Sequence, residues 1–172
     1  MKKLKQDNPY NCLVYALGMA LDVEPDTLYR YLTHTGLGDK RKGFVPEEFY
    51  TAVVENGRLP ILAHVSSFDG KNESFLNVAA LTMFGYTRAI LTVLKTDITL
   101  HHALAWDGET KTLVDPAKGE EVDFNDYTII EALMLPTHKE ITKWVPQHGL
   151  NCQTQYALES FDTETKFILR NL

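Results

Sequence analysis

The chain has few basic residues, few cysteines and no apolar run long enough to cross a membrane. Of its 172 residues, 17 are lysine or arginine and 23 are aspartate or glutamate, which gives a formal net charge of −6. This balance offers no basic face to nucleic acid or to an anionic lipid surface. The apolar segment LVYALGMAL is shorter than a bilayer requires and is followed by Asp22 and Glu24. We therefore expect neither nucleic acid nor a membrane among its partners.

Only two cysteines are present, Cys12 and Cys152, and they lie near opposite ends of the chain. The sequence contains no signal peptide, so we expect a cytoplasmic protein, with delivery by a secretion system or a phage as the alternative. A disulfide between the two thiols is not expected in a reducing compartment. We interpret Cys152 as structural or incidental.

Metal-binding motifs are also missing: the sequence has no CxxC, no HExxH and no EF-hand loop. A site built from His101, His102, Asp107 and Asp115 is the alternative to consider. Adjacent residues of a strand point to opposite faces, so the two histidines do not easily bind one ion. A zinc site needs three or four convergent ligands. We therefore expect no metal and no cofactor.

The first third of the chain has the pattern of helices. Residues 12–21 are almost continuously apolar, and Asn8 or Asn11 can cap them, which predicts a buried central helix. Prolines in first-turn positions predict two further helices, PDTLYRYLT and PEEFYTAVVEN. Between these lies a glycine-rich loop, residues 33–43, whose basic run either attracts an acidic substrate tail or is simply solvated.

After residue 57 the pattern changes to the alternation typical of strands. Strands are predicted at 61–65, 88–95, 101–107, 111–115 and 128–135, while 75–85 is compatible with helix or strand. Asp-Gly in the segment DGET predicts a hairpin between the third and fourth of these strands. Helices followed by an antiparallel sheet are an α+β pattern. We expect a single domain, 1–172, with a helical part at about 1–57, a sheet part at about 58–136 and an uncertain C-terminal extension, 137–172.

Four residues in this order have the chemistry of nucleophilic catalysis. Cys12 begins the central helix, where the positive end of the helix dipole favours the thiolate. His102 stands at the start of a strand, and Asp115 ends the next one, so the hairpin makes them neighbours across the ladder. Such a carboxylate orients an imidazole and stabilises its cation. Gln6 offers a side-chain amide to an oxyanion hole, beside the backbone N–H of Cys12.

Each of these residues also has a simpler interpretation. Free cysteines are commonly buried for packing alone, and an aspartate before proline is a frequent turn residue. His101 competes with His102 for the position facing the thiol, and we expect His101 to be solvated. Asn8 or Asp7 are rivals of Gln6 for the oxyanion hole.

The order of these residues resembles the papain-like cysteine peptidase superfamily. The shared pattern is Gln6, five residues, Cys12 opening a helix, His-Ala-Leu-Ala from His102 on a strand, and Asp115 before a proline. Among its branches, the compact bacterial double-glycine leader peptidases of bacteriocin exporters are the nearest. Papain has Gly-Ser before its cysteine and an aromatic residue after it, whereas here Tyr10-Asn11 precede Cys12 and Leu13 follows.

The resemblance implies a papain-like α+β fold and a cysteine peptidase or isopeptidase. It makes Cys12 the nucleophile, His102 the general base and then acid, Asp115 the orienting residue and Gln6 the oxyanion donor. A peptide or protein is the expected substrate. Two alternatives remain: an acyltransferase, deamidase or transglutaminase-like enzyme of the same fold, and a non-catalytic protein-binding or structural domain. The sequence does not determine the oligomeric state.

Overall fold

A computed structural model of the protein describes residues 1–32, 43–64, 87–95, 101–123 and 126–148. The predicted loop at 33–43, apart from Gly43, the segment 75–85 and Cys152 lie outside these ranges. The chain forms two compact units, Met1–Glu140 and Ile141–Leu172. All contacts described below belong to the first unit, and the expected single domain stays a prediction.

The helical part largely follows the predicted pattern. Helix α1 is Cys12–Leu21, and α2 is Pro25–Leu32. The third predicted helix begins as one 3-10 turn, Pro46–Phe49, and continues as α3, Tyr50–Glu55. Within the described ranges, no helix has the length and apolar character needed to cross a membrane.

A further helix, α4, covers His138–His148 in the region that the sequence analysis left unassigned. Thr137 and Glu140 form reciprocal bonds at its start: the Thr137 N–H donates to Glu140 Oε2 at 2.6 Å, and the Glu140 N–H donates to Thr137 Oγ1 at 3.2 Å. This is a capping box. The spacing Thr-x-x-Glu was therefore the signal that would have predicted α4.

The described strands form a six-stranded antiparallel sheet in the order β1-β6-β2-β3-β4-β5. The α+β class and the antiparallel sheet are confirmed. All five predicted strands are present, and the two-residue β5 was not predicted. The bounds are β1 Ile61–His64, β2 Arg88–Lys95, β3 His101–Asp107, β4 Thr112–Asp115, β5 Glu120–Glu121 and β6 Tyr127–Leu135.

The β3–β4 hairpin forms at the predicted Asp107-Gly108 pair, but Gly108 does not have a left-handed backbone. Asp107 Oδ1 accepts the N–H groups of Glu109 at 3.1 Å and Thr110 at 3.4 Å. The residue with a left-handed backbone is Lys111, at φ 57°. An aspartate side chain that binds the following amides stabilises such a turn without requiring a left-handed glycine.

Helix α1 lies against the face of the sheet that carries Ala103 and Ala105 of β3. Small side chains there allow the helix backbone to approach the strand closely. Gly18 of α1 instead allows the chain that follows the helix to approach it, because a Cβ at this position would lie 3.0 Å from the carbonyl oxygen of Val23. Trp106 is buried as well, but it lies outside the cluster around α1. The packing of α1 against β3 brings the start of the helix near the histidines.

Ala105→Val should lower the free energy of unfolding by about 1–3 kcal/mol, because two added methyl groups overfill the fully buried contact between α1 and β3. Urea denaturation measures the change. Thr128→Val is the control, since it changes an exposed residue of β6 to one of similar shape. Equal effects of the two substitutions would contradict tight packing between α1 and β3.

Candidate active site

Asp115 ends β4 and begins a tight turn, in which both its backbone carbonyl and its side chain accept hydrogen bonds. Its backbone carbonyl accepts the N–H groups of Lys118 at 3.1 Å and Gly119 at 2.7 Å. Its side-chain Oδ1 accepts the N–H of Ala117 at 2.7 Å. Asp115 is therefore a turn residue, as the simpler interpretation proposed, and the turn fixes its carboxylate in one place.

The structure brings His102 and Asp115 together. Residues 105 and 114 are paired in the β3–β4 ladder, so His102 and Asp115 lie diagonally across it on one face. His102 Nε2 lies 2.7 Å from Asp115 Oδ1. Because this contact occupies Nε2, Nδ1 is the ring nitrogen left to face the thiol.

Tyr127, the first residue of β6, contacts the same carboxylate from another strand. Its hydroxyl donates to Asp115 Oδ2 at 2.9 Å, and both side chains are buried. Tyr127 was not among the residues predicted from the sequence. No local pattern would have predicted it, since the contact depends on how the segment after β5 returns to the sheet.

Cys12 is a free, partly buried thiol at the first position of α1. Cys12 lies close enough to the His102 ring to contribute, by hydrogen bonding and charge, to the raised pKa of His102. Within the described residues, no side chain caps the start of α1. The Asn11 amide donates instead to Asp7 Oδ1 at 2.6 Å and to the Tyr29 hydroxyl at 3.0 Å. The first-turn N–H groups, which lack partners inside a helix, are thus left uncapped beside the sulfur.

The charges of this group favour a protonated imidazole. Burial lowers the pKa of His102, but hydrogen bonds to Asp115 and Cys12 and their negative charges outweigh burial and raise it to about 9. Burial raises the pKa of Asp115, whereas bonds from His102, Ala117 and Tyr127 and the imidazolium charge bring it below its usual range. An imidazolium next to a thiol is an arrangement that favours the thiolate.

Gln6 is tied to the turn that follows Asp115. Its backbone N–H donates to the carbonyl of Pro116 at 2.8 Å. Its side-chain Oε1 is buried and has no hydrogen-bond partner among the described residues. A buried polar atom without a partner is costly and often belongs to a functional site. Asn11 Oδ1 is buried without a partner as well, and both atoms are acceptors, whereas an oxyanion requires a donor.

The rivals of Gln6 are engaged within their own loop. Asn8 Oδ1 accepts the N–H of Tyr10 at 2.9 Å, and Asp7 accepts the Asn11 amide. Among the rivals for the other roles, His101 is exposed. Asp107 lies at the opposite end of β3 from His102, with its Oδ2 3.7 Å from Arg88 Nε. The four residues considered for a metal site therefore do not converge, and no group of three potential ligands occurs in the described part of the chain.

Neither a family model, a curated protein nor a solved structure matches this chain.

His102 should make stability depend on pH above neutrality. Its folded-state pKa is raised from 6.5 to about 9, so its contribution is fully present below pH 6.5 and is lost as the pH rises to about 9. At about 1.4 kcal/mol per pKa unit, the limit of this contribution is roughly 3 kcal/mol. Urea denaturation of the wild type and His102→Asn across this range measures it. Identical pH profiles would contradict the charged pair.

Gly119→Ala should destabilise the turn below the site more than an ordinary glycine substitution does. Gly119 has φ 74°, and a Cβ there would lie 2.9 Å from Lys5 Cβ, next to Gln6. Gly57→Ala is a matched control, because Gly57 has φ 71° but nothing within 4 Å of a new Cβ. We expect the Gly119 variant to lose about 1 kcal/mol more than the Gly57 variant in urea denaturation. Equal losses would show that Lys5 does not press on the turn.

Proposed function

We propose that this protein is a papain-like cysteine hydrolase that cleaves peptide or isopeptide bonds. The observation that carries the proposal is the His102 ring, whose Nε2 is bound to the buried Asp115 while Cys12 lies close enough to raise the pKa of the ring. A nucleophile, a base and a group that orients the base are the three parts that this chemistry requires.

The reaction begins at the thiolate of Cys12, which attacks the carbonyl carbon of the substrate. The oxyanion that forms accepts hydrogen bonds from the Cys12 N–H and the Gln6 amide. The His102 imidazolium gives its proton to the leaving amine, the C–N bond breaks, and an acyl thioester remains on Cys12. Neutral His102 then takes a proton from water, whose oxygen attacks the thioester. Release of the carboxylic acid restores the thiolate and the imidazolium.

Asp115 does not exchange protons in this scheme. It keeps the His102 proton on Nε2 in the neutral ring, so that Nδ1 has a free lone pair toward Cys12 and the incoming water. It also stabilises the imidazolium. A buried carboxylate with a lowered pKa suits both tasks, because it stays ionised at neutral pH.

The papain-like assignment is supported by the order of the elements. The nucleophile opens the central helix, and the histidine and the aspartate follow on consecutive antiparallel strands. The double-glycine leader peptidases are the nearest branch by the sequence resemblance. The substrate by this proposal is a peptide or protein, and the acyl acceptor is water.

The test is cleavage of a defined peptide mixture, with new termini identified by mass spectrometry. The wild type and Cys152→Ser should produce the same termini, whereas Cys12→Ala and His102→Ala should produce none. Asp115→Ala and Gln6→Ala should retain traces, about 10²- to 10³-fold below the wild type. Hydroxylamine should divert the thioester to a hydroxamate at the same peptide positions.

The same experiment separates the alternatives. Crosslinked or aminated products in place of new termini would indicate acyl transfer, and a gain of 1 Da at glutamine or asparagine would indicate deamidation. Termini formed equally by Cys12→Ala would contradict a cysteine-dependent mechanism.

A further inference from the structure

We propose that Tyr127 is a positioning residue of this site, which holds the Asp115 carboxylate in the plane that meets His102. The inference rests on the proposed function for its catalytic meaning, and it adds a fifth member to the four residues predicted from the sequence. Tyr127 acts through Asp115 and touches neither the thiol nor the substrate.

Both oxygens of the Asp115 carboxylate are bound. Asp115 Oδ1 receives the Ala117 N–H at 2.7 Å and lies 2.7 Å from His102 Nε2, while Oδ2 receives the Tyr127 hydroxyl at 2.9 Å. Rotation about χ2 moves Oδ1 away from its two partners, so the bonds at Oδ1 already limit this rotation. A donor at Oδ2 fixes the second oxygen and therefore the plane.

Burial makes this hydroxyl hard to replace. Asp115 is 3% exposed and Tyr127 8% exposed, so bulk water has little access to Oδ2. An ionised oxygen that loses its donor in such a place is strongly destabilised. The orientation and the charge of Asp115 therefore both depend on Tyr127.

Tyr127 is anchored in a different strand from His102 and Asp115. It begins β6, pairs with Lys95 of β2, and β6 also pairs with β1. Asp115 and His102 belong to β4 and β3. The hydroxyl thus connects the Asp115 carboxylate to β6, a strand that pairs with neither β3 nor β4. This connection restricts the motion of the end of β4.

The experiment is the rate of iodoacetamide labelling of Cys12 at pH 6 in the wild type, Tyr127→Phe, Asp115→Asn and the double variant. Phenylalanine keeps the ring and removes only the hydroxyl. We expect labelling to slow about three- to tenfold in Tyr127→Phe, because the imidazolium that stabilises the thiolate is held less firmly. In the Asp115→Asn background, Tyr127→Phe should cause no further loss. An unchanged rate in the single variant, or the same loss in both backgrounds, would overturn the proposal.

Tyr31→Phe is the matched control, because Tyr31 also donates its hydroxyl to a carboxylate, that of Glu55 on α3. Its labelling rate should equal that of the wild type. A second readout, the ¹³C NMR titration of the Asp115 carboxyl, does not depend on thiol reactivity. Its pKa should rise in Tyr127→Phe, and an unchanged value would overturn the role of Tyr127. The two proposals can fail separately. If His102→Ala leaves the labelling rate of Cys12 unchanged, the proposed function is contradicted. If the Asp115 pKa nevertheless rises in Tyr127→Phe, the positioning of Asp115 by Tyr127 is still supported.

Discussion

The buried contact between His102 and Asp115 is the interaction on which the site depends. A carboxylate that is 3% exposed is tolerated only when its oxygens are bound, and here the donors come from the turn after β4, from β3 and from β6. Removing any donor leaves part of a buried charge without a partner. The same bonds hold the imidazole by Nε2, so Nδ1 is its remaining nitrogen. The same few contacts therefore stabilise the buried carboxylate and orient the His102 ring.

The other half of the site is set by the packing of α1. Its apolar residues are buried against the sheet, and the alanines of β3 allow close approach. The N-terminal loop joins the two halves, since Gln6 bonds to Pro116 while Asn11 bonds to Asp7 and Tyr29. The N-terminal loop, the start of α1 and the β3–β4 hairpin therefore lie next to one another, although they are far apart in the chain.

Local features of this site were predictable from the sequence. The apolar run 12–21 contains its own helical signal, and the hairpin between His102 and Asp115 brings two residues together that are only 13 positions apart. Tyr127 was not predictable, because its contact crosses from β6 to the end of β4 and no sequence period encodes it. The side-chain bonds of Asn11 were not predicted for a similar reason. A capping residue is expected to bind its own helix, whereas the Asn11 amide donates to Asp7 and Tyr29. The catalytic roles of Cys12, His102, Asp115 and Gln6 remain predictions.

The most direct test of the central claim is a ¹⁵N NMR titration of the His102 ring in the wild type and in Cys12→Ala. If Cys12 and Asp115 hold an imidazolium between them, the wild-type ring stays cationic up to a pKa of about 9. Cys12→Ala should lower this pKa, because one of the two stabilising partners is lost. A wild-type ring that titrates near the ordinary value of about 6.5, with no response to Cys12→Ala, would contradict the thiolate–imidazolium pair and with it the proposed mechanism.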